Sequence, residues 1–312
     1  MRTIKGILLI LVLISTSCER DSFERYYITQ NVIIVIIDGA RYSETWGDSS
    51  FSNIPKMKLL SETGVLFTNF FNNGPTYTAS GHVSITTGYY QEINNFGLEI
   101  PEYPSIFQYW NKKNLRNLAV SKILTSKDKL SVLSDCKDSS YNGIYRPMID
   151  CGINGTGVGS GNRHDSITLH RALNVLTFEH PRLLLISFRE PDYSAHQNNW
   201  PAYIEGIKNT DCYVDKIWKL LEKDNFYKGK TAMFVTNDHG RHLDNVSDGF
   251  VSHGDTCNGC KHISLLVLGP DFKKGEIMTK QRELIDISAT IAEILKFSVP
   301  TGHGSIMNEL FK

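Results

Sequence analysis

The run NVIIVIIDG, residues 31–39, constrains the fold of this chain more than any other segment. Six β-branched residues follow one another from Val32 to Ile37, with no polar residue between them. A strand with one solvated face alternates apolar and polar residues, whereas a continuously apolar strand is buried on both faces, as in a parallel sheet covered by helices. The run ends in Asp38-Gly39, so a carboxylate is expected directly beyond the carboxyl end of the strand.

Strand and helix patterns alternate along the rest of the chain. Strand-like segments follow at residues 65–71, 117–122, 182–188, 231–238 and 262–269. Helical patterns lie between them, at residues 54–62, 82–87, 105–113, 166–179, 200–222 and 282–295. This alternation predicts an α/β fold with a mostly parallel central sheet that helices cover on both faces. With 312 residues, of which 41% are apolar, the chain can bury the core of one large domain, predicted over residues 31–312.

The first residues have the pattern of a bacterial lipoprotein export signal. Arg2 and Lys5 precede an apolar run at residues 7–14, which is too short to span a bilayer. Small residues then lead to Cys18, so we expect a signal peptide over residues 1–18, lipidation of Cys18 and a tether over residues 19–30. The protein is then expected on the bacterial cell envelope, facing the periplasm or the cell surface. Ordinary signal cleavage, with Cys18 unmodified or removed, is the alternative.

The charge balance argues against some classes of partner. The chain has 33 basic and 33 acidic residues, so its formal net charge is zero. A nucleic-acid duplex or an anionic membrane surface selects a basic face, so neither is expected as the main partner. We expect membrane contact through the lipid anchor only.

Five cysteines follow the signal, and export would place them where disulfides persist. Cys136 and Cys151 are predicted to close a short loop, Cys257 and Cys260 to form a tight local bridge, and Cys212 to be a buried thiol. The Cys257-Asn-Gly-Cys260 pattern also fits half of a zinc site or a redox motif. We favour the bridge, because the sequence has no second C-x-x-C and no strand-to-helix redox context.

Acidic and histidine side chains follow three of the predicted strands. Ligands in open α/β sheets bind beyond the carboxyl ends of the strands, so these positions are informative. The candidates are Asp38, Asp192, His196, Asp238, His239 and, ahead of the last strand, His253. An aspartate after a strand is often only a turn former, but six zinc-type ligands at strand ends are hard to explain by turns alone. Six such ligands suit two metal ions that act in phosphoryl transfer.

The segment GPTYTASGHVSITTG, residues 74–88, offers hydroxyl groups just before a helical pattern. Serine and threonine commonly cap helices through a side-chain oxygen, which is the simpler interpretation. The alternative is that one hydroxyl is a nucleophile at a helix start, where backbone donors favour an incoming anion.

Five motifs of the chain favour the nucleophile over the cap. They are VIIDGAR, PTYTASGHVSITTG, PDYSAH, NDHG and SHG, and a strand that ends in Leu-Gly-Pro follows the last of them. Together, from about residue 32 to residue 270, they resemble the alkaline phosphatase superfamily, in its nucleotide pyrophosphatase/phosphodiesterase branch with a threonine nucleophile. The resemblance implies a three-layer αβα sandwich and two divalent metal ions, expected to be zinc. Thr78 matches the nucleophile, and it joins one metal site with Asp38, Asp238 and His239. Asp192, His196 and His253 match the other site.

Several assignments stay open. Ser80 is the alternative nucleophile, and His82 is expected to be structural rather than a ligand. His262 and His303 are alternatives to His253. An asparagine of this branch donates to the substrate, and here Glu99 lies at about that place, so Asn95 or Asn94 is predicted to take the role. Two weaker candidates for substrate contact are Tyr77 and, in the glycine-rich loop at residues 152–165, Arg163.

The resemblance implies an exported, metal-dependent phosphoester hydrolase for mono- or diesters that works through a phosphothreonine. A phospho-group transferase or a phosphonate hydrolase of the same fold is one alternative, and a surface lipoprotein that binds metal without turnover is another. Sulfatases resemble the chain less, because their C/S-x-P-x-R nucleophile motif has no counterpart in GPTYTASGH. The expected partner is a small-molecule phosphoester.

Overall fold

The computed structural model describes residues 25–115 and 121–312. The predicted signal, Cys18 and the first half of the tether, residues 19–24, lie outside these residues. None of the helices in the described parts is long and apolar enough to cross a membrane.

A nine-stranded sheet forms the centre of the fold. Its strands are β1 (Asn31–Ile37), β2 (Val65–Phe71), β3 (Ser121–Thr125), β4 (Met148–Cys151), β5 (Leu183–Phe188), β6 (Thr231–Thr236), β7 (His262–Leu268), β8 (Glu276–Met278) and β9 (Arg282–Glu283). They are ordered β4-β3-β5-β1-β6-β7-β2-β8, and β9 also pairs with β2. Of the strands in the described residues, only β7 runs antiparallel to its neighbours, so the predicted mostly parallel sheet is confirmed.

Helices cover both faces of the sheet. They are α1 (Pro55–Ser61), α2 (Thr78–Thr87), α3 (Ile106–Lys113), α4 (Asp165–Phe178), α5 (Asp192–His196), α6 (Trp200–Leu221), α7 (Asn258–Lys261) and α8 (Ile285–Ile294). Residues of α2, α3 and α8 belong to one hydrophobic cluster, whereas those of α1, α4 and α6 belong to a second. The two clusters lie on opposite sides of the sheet, which gives the predicted three-layer αβα sandwich.

Strand β1 lies at the middle of the parallel part of the sheet. It pairs with β5 on one side and β6 on the other, and all seven of its residues are buried. Val32, Ile34 and Ile36 pack in one hydrophobic cluster, while Ile33, Val35 and Ile37 pack in the other. The six β-branched residues therefore supply both cores, as their continuous apolar pattern predicts.

Two predicted features differ from the structure. The strand predicted at residues 117–122 overlaps β3 at Ser121 and Lys122, and β3 continues beyond the prediction to Thr125; residues 116–120 lie outside the described parts. The segment at residues 282–295 begins with the short strand β9 before α8. Short edge strands such as β8 and β9 have too few residues to show a period, so the sequence pattern missed them.

The two predicted disulfides are absent: all five cysteines in the described residues are free thiols. Cys136 and Cys151 are buried, and burial raises the pKa of each thiol to about 11. Cys212, predicted to be buried, is partly exposed on α6.

Helix α2 lies unusually close to the end of β6. All ten of its residues are buried, and a Cβ atom added at Gly81 would lie 2.5 Å from the carbonyl oxygen of Asp238. The side-chain amide of Asn72 donates to the same oxygen at 2.8 Å, which fixes the chain at this point. Only glycine lets the helix approach the strand end so closely.

We expect Gly81→Ala to push α2 away from Asp238. The clash involves backbone atoms, so the substitution should lower the free energy of unfolding by about 1–3 kcal/mol and also weaken metal retention, measured by denaturant melts and metal analysis. Ser84→Ala is the matched control, because the Ser84 hydroxyl bonds only to the Ser80 carbonyl within the helix. Equal stability and metal content in Gly81→Ala and Ser84→Ala would contradict this account.

Candidate active site and metal centre

Thr78 is the first residue of α2 and does not cap it. The N-cap residue is Tyr77, and no side chain makes a capping hydrogen bond there. Thr78 is buried, and its Oγ1 atom lies 3.5 Å from His239 Nε2 and 3.4 Å from Lys127 Nζ. The hydroxyl therefore faces charged and metal-ligating side chains rather than the backbone donors that a cap would satisfy.

The first candidate metal group consists of Asp38, Asp238 and His239. One ligand atom from each lies within 4.8 Å of the others, and all three residues are buried. Asp238 Oδ1 accepts the backbone N–H groups of Gly39 and His239, at 3.2 and 3.0 Å. His239 Nδ1 lies 2.8 Å from the Gly240 carbonyl, which can only accept, so the ring proton is placed on Nδ1 and Nε2 keeps its lone pair.

The oxygen atoms of this group fit a cation. Both carboxylate oxygens of Asp38 and Oδ2 of Asp238 are buried without a hydrogen bond of good geometry from any described residue. Buried carboxylates need opposite charge, and the only close charge on Asp38 Oδ2 among the described residues is Lys127 Nζ, at 2.8 Å. The donor set of two carboxylates and one imidazole is one that zinc accepts.

The second candidate group consists of Asp192, His196 and His253. Asp192 Oδ1 lies 3.2 Å from His196 Nε2 and 3.4 Å from His253 Nε2, and the two imidazole nitrogens are 3.2 Å apart. His253 Nδ1 donates to the Thr76 carbonyl at 2.7 Å, which leaves Nε2 free to ligate. Burial and the nearby His239 lower the pKa of His253 to about 4, so this imidazole is neutral near pH 7.

The two groups adjoin each other. The rings of His239 and His253 stack with centroids 3.7 Å apart, and Asp192, His239 and His253 also converge on one point. All six ligands predicted from the sequence are thus brought together beside Thr78 at the carboxyl edge of β1, β5 and β6.

Lys127 joins the two groups, and sequence reasoning did not identify it. Its Nζ atom lies 2.8 Å from Asp38 Oδ2 and 2.6 Å from Asp192 Oδ2. Burial alone lowers the pKa of Lys127, but the carboxylates of Asp192 and Asp38 outweigh burial and raise it above its ordinary value. Lys127 follows β3 by two residues, but the strand predicted from the sequence ends at Lys122, five residues before it, so the strand-end rule did not reach Lys127.

Arg241 is a second cation that the sequence did not reveal. Its side chain is fully buried, and Nη1 contacts Asp192 Oδ1. Its Nη2 atom lies 3.4 Å from His196 Nδ1. An arginine can only donate, so His196 carries its proton on Nε2 in this arrangement, and that proton must leave before Nε2 can bind a metal. The second group is therefore less ready to bind an ion than the first.

Asn95 lies directly beside the nucleophile candidate. Its Oδ1 accepts the backbone N–H of Ala79 at 3.0 Å and the ammonium of Lys129 at 2.9 Å. Its oxygen is therefore occupied, and its NH₂ group is the part left for a substrate. Burial and the nearby Lys127 lower the pKa of Lys129 to about 8.

The other predicted residues lie in different surroundings. The Ser80 hydroxyl accepts the Ile93 N–H at 3.1 Å, so it is held by the backbone. His82 is buried, and its Nδ1 atom lies 2.8 Å from the Thr78 carbonyl and 3.3 Å from Asp238 Oδ2, which fits the predicted structural role. Tyr77 lies edge-on to His253, with ring centroids 6.4 Å apart.

Arg163 and Asn94 are not brought into the group around Thr78. The guanidinium of Arg163 bonds to Asp150, Thr125 and Thr168, which leaves its donors engaged. Asn94 is exposed, and its N–H donates to Glu99, whose carboxylate also pairs with Lys137 at 2.8 Å.

The alternative histidines also lie outside the two metal groups. His262 stacks between Tyr42 and Phe71, with centroid distances of 4.0 and 4.9 Å. His303 packs edge-on against Tyr89, with centroids 4.8 Å apart. Of the three histidines considered for the last ligand, the structure brings only His253 to the other ligands.

Comparisons with curated proteins find short, distant similarities. A 2,3-bisphosphoglycerate-independent phosphoglycerate mutase from Haloquadratum walsbyi is 25% identical over 41% of this chain and 24% of its own length. A phosphopentomutase from Herpetosiphon aurantiacus is 26% identical over 51% of this chain and 37% of its own length. The chain thus matches well under half the length of these relatives.

Solved structures match over most of the chain. A phosphonate monoester hydrolase from Silicibacter pomeroyi has a TM-score of 0.65 at 13% identity, covering 90% of this chain and 76% of its own. Murine ectonucleotide pyrophosphatase/phosphodiesterase 5 has a TM-score of 0.61 at 15% identity, covering 91% and 100%. A protein solved with its substrate D-glucosamine-2-N,6-O-disulfate has a TM-score of 0.69 at 12% identity, covering 91% and 80%. These likenesses confirm the alkaline-phosphatase-like fold.

A family model covers nearly the whole described domain. The model described as Sulfatase matches residues 30–297, from the start of β1 to the end of α8. The chain matches this model although it lacks the C/S-x-P-x-R motif. The chain therefore belongs to the sulfatase family of the alkaline phosphatase superfamily.

Proposed function

We propose that this chain is an exported, metal-dependent phosphoester hydrolase in which Thr78 is the nucleophile. The observation that carries the proposal is the position of the Thr78 hydroxyl. It is buried at the start of α2, makes no cap, and lies within 3.5 Å of both a ligand of the first metal group and the Lys127 ammonium. A threonine placed only for helix stability has no need of these neighbours.

Each metal group has its own protein ligands. Asp38, Asp238, His239 and Thr78 would hold one ion, and Asp192, His196 and His253 the other. Divalent ions there, expected to be zinc, would lower the pKa of a bound hydroxyl and offset the negative charge of a transferring phosphoryl group. The buried, unsatisfied oxygens of Asp38 and Asp238 support the first of these groups most directly.

The side chains suggest how the reaction proceeds. Thr78 Oγ1, ionised by loss of its proton to solvent, attacks phosphorus, and the leaving group departs with the electron pair of its bond to phosphorus. Water then hydrolyses the phosphothreonine and restores the Thr78 hydroxyl. Lys127 stays protonated and donates to Thr78 Oγ1, so it favours the ionised hydroxyl. The free NH₂ group of Asn95 is placed to donate to a substrate oxygen.

Charge favours an anionic substrate. The three buried carboxylates of Asp38, Asp192 and Asp238 face two fixed cations, Lys127 and Arg241. Two divalent ions would add four positive charges to this site, which would give it an excess of positive charge. Glu99, which would repel a phosphate if it faced the site, is instead paired with Lys137.

Phosphoester chemistry is preferred over sulfate-ester chemistry for a reason in this chain. The nucleophile position carries Thr78 and not the C/S-x-P-x-R motif of sulfatases. A phospho-group transferase or phosphonate hydrolase would use the same residues and differ only in the acceptor or in the bond broken. The fold likeness to a phosphonate monoester hydrolase supports keeping the phosphonate alternative in the test.

Thr78→Ala should lower turnover of aryl phosphate esters by several orders of magnitude, because the covalent intermediate is lost. Rates are measured on an aryl phosphate monoester, a diester, an aryl phosphonate and an aryl sulfate, with and without added zinc. Thr78→Ser should keep part of the activity, since a primary hydroxyl can still attack.

Ser80→Ala is the matched control for Thr78→Ala and should keep near-normal turnover. If Thr78 were only a cap, Thr78→Ala would lower stability by about 1 kcal/mol and leave turnover intact. A folded, metal-loaded Thr78→Ala protein with normal rates would refute the nucleophile. Turnover of the aryl sulfate alone would instead refute the phosphoester assignment.

Lys129 should make kcat/KM fall as the pH rises into the alkaline range. Because its pKa is lowered to about 8, the side chain is charged below that pH and neutral above it, so its attraction for an anionic substrate is lost as the pH rises through this range. Lys129→Arg should remove this fall from the pH profile of kcat/KM, and Lys129→Met should lower kcat/KM at pH 7. Lys208→Gln, which changes an exposed lysine on α6, should leave the profile unchanged.

The location follows from the same proposal. We expect the mature protein to partition with membranes through lipidated Cys18, and Cys18→Ala to release or misprocess it. The measurement is fractionation of cells followed by mass spectrometry of the mature amino terminus. A soluble mature form that starts beyond Cys18 would refute the anchor and leave the catalytic proposal untouched.

A further inference from the structure

Four potential metal ligands converge beside the candidate active site but do not belong to it. They are His242, Asp255, Cys257 and Cys260, and their ligand atoms all lie within 4.8 Å of one another. His242 and Cys260 are buried, Cys257 is partly exposed and Asp255 is exposed. The group therefore extends from the interior to the protein surface. We call it the Cys-His cluster.

We propose that the Cys-His cluster is a structural zinc site. Two thiolates, an imidazole and a carboxylate form a closed four-ligand set of the kind that zinc takes in tetrahedral geometry. Tetrahedral zinc brings its ligand atoms to roughly 3–4 Å from one another, and His242 Nε2 already lies 3.1 Å from Asp255 Oδ2. The cluster provides four protein ligands and leaves no position for a substrate, unlike the site around Thr78.

The imidazole of His242 is oriented for ligation. Its Nδ1 atom lies 3.1 Å from Asp248 Oδ1 and 3.3 Å from Ser252 Oγ, while its buried Nε2 makes no hydrogen bond to any described residue. A carboxylate on one ring nitrogen and a metal on the other is the usual arrangement at zinc sites, because the carboxylate fixes the tautomer. Asp255 Oδ2 lies 3.1 Å from this nitrogen but outside hydrogen-bonding geometry, so the two atoms can both bind one ion.

The spacing of the two cysteines allows both sulfur atoms to bind one metal ion. Two residues separate them in Cys257-Asn-Gly-Cys260, and the Cys260 N–H donates to Cys257 Sγ at 3.4 Å. An amide donor on the sulfur stabilises the thiolate that zinc requires. Both side chains are free thiols in this structure, so the tight bridge predicted from the sequence is not formed.

The two chain segments that supply the ligands are already in contact. The Gly240 N–H donates to the Cys260 carbonyl at 2.8 Å, and a Cβ atom at Gly240 would lie 2.1 Å from the Gly259 carbonyl oxygen. The backbone thus holds the ligands close together before any ion binds. Less conformational entropy is therefore lost when an ion binds.

The position of the cluster suggests what it stabilises. His242 follows the active-site ligand His239 by three residues, and Asp255 follows His253 by two. The Asp255 carbonyl accepts the Thr76 hydroxyl at 2.7 Å, and the Thr76 carbonyl accepts from His253. A zinc ion there would fasten the segment that carries His253 to the end of β6 and to the turn before Thr78.

Cobalt substitution separates this site from the active site. The full-length protein is stripped with a chelator under reducing conditions and reloaded with Co²⁺. Of the groups of potential metal ligands in the described residues, only the Cys-His cluster contains cysteines, so thiolate-to-cobalt charge-transfer absorption should appear at one equivalent per chain. The double variant Cys257→Ser/Cys260→Ser should lose this band and bind one zinc fewer per chain, whereas Cys212→Ser, on α6, should keep both.

A second measurement does not depend on the variants folding. In the zinc-loaded wild-type protein, Cys257 and Cys260 should resist a thiol reagent until chelator is added, as followed by peptide mass mapping. A Cys257–Cys260 disulfide in the mature protein, or stripped protein that shows no thiolate–cobalt band, would overturn the zinc site. Neither result bears on Thr78, because the phosphoester assay tests that residue separately.

Discussion

The burial of three carboxylates at one edge of the sheet is the constraint on which the site depends. Asp38, Asp192 and Asp238 are each almost fully buried, and like charges held this close in a protein interior are unstable without opposite charge. Lys127 offsets part of the negative charge by contacting both Asp38 and Asp192, and backbone N–H groups donate hydrogen bonds to Asp238. We infer that metal ions would offset the negative charge that remains on these carboxylates.

Most of the fold, and every predicted ligand beside Thr78 except His253, follow from local sequence rules. A run of β-branched residues buried on both sides needs helices on both faces, and parallel strands bring their carboxyl ends to one edge. Asp38, Asp192 and Asp238 could therefore be found from the strands that precede them. The family resemblance then separated Thr78 from Ser80, which spacing alone does not, since both precede the same helical pattern.

The supporting residues could not be found in this way. A lysine or arginine in a loop normally extends into water, and nothing in the sequence shows that Lys127 and Arg241 are turned inward and buried. His253 and His262 are both plausible by spacing, and only packing shows that His262 lies between Tyr42 and Phe71. Cys257 and Cys260 likewise fit a bridge or a metal, and the decision rests on His242 and Asp255, which local spacing does not connect to them.

The contacts of Lys127 show how a lysine and metal ions can share the same carboxylates. Lys127 contacts the Oδ2 atoms of Asp38 and Asp192, whereas the Oδ1 atoms face the histidines: Asp38 Oδ1 lies 3.4 Å from His239 Nε2, and Asp192 Oδ1 lies 3.4 Å from His253 Nε2. Lysine and metal therefore need not compete at Asp38. At Asp192 a metal ion would instead compete with Arg241, which contacts Oδ1. We therefore expect the first group to bind an ion more tightly, and binding at the second group to require that Arg241 moves away from Asp192.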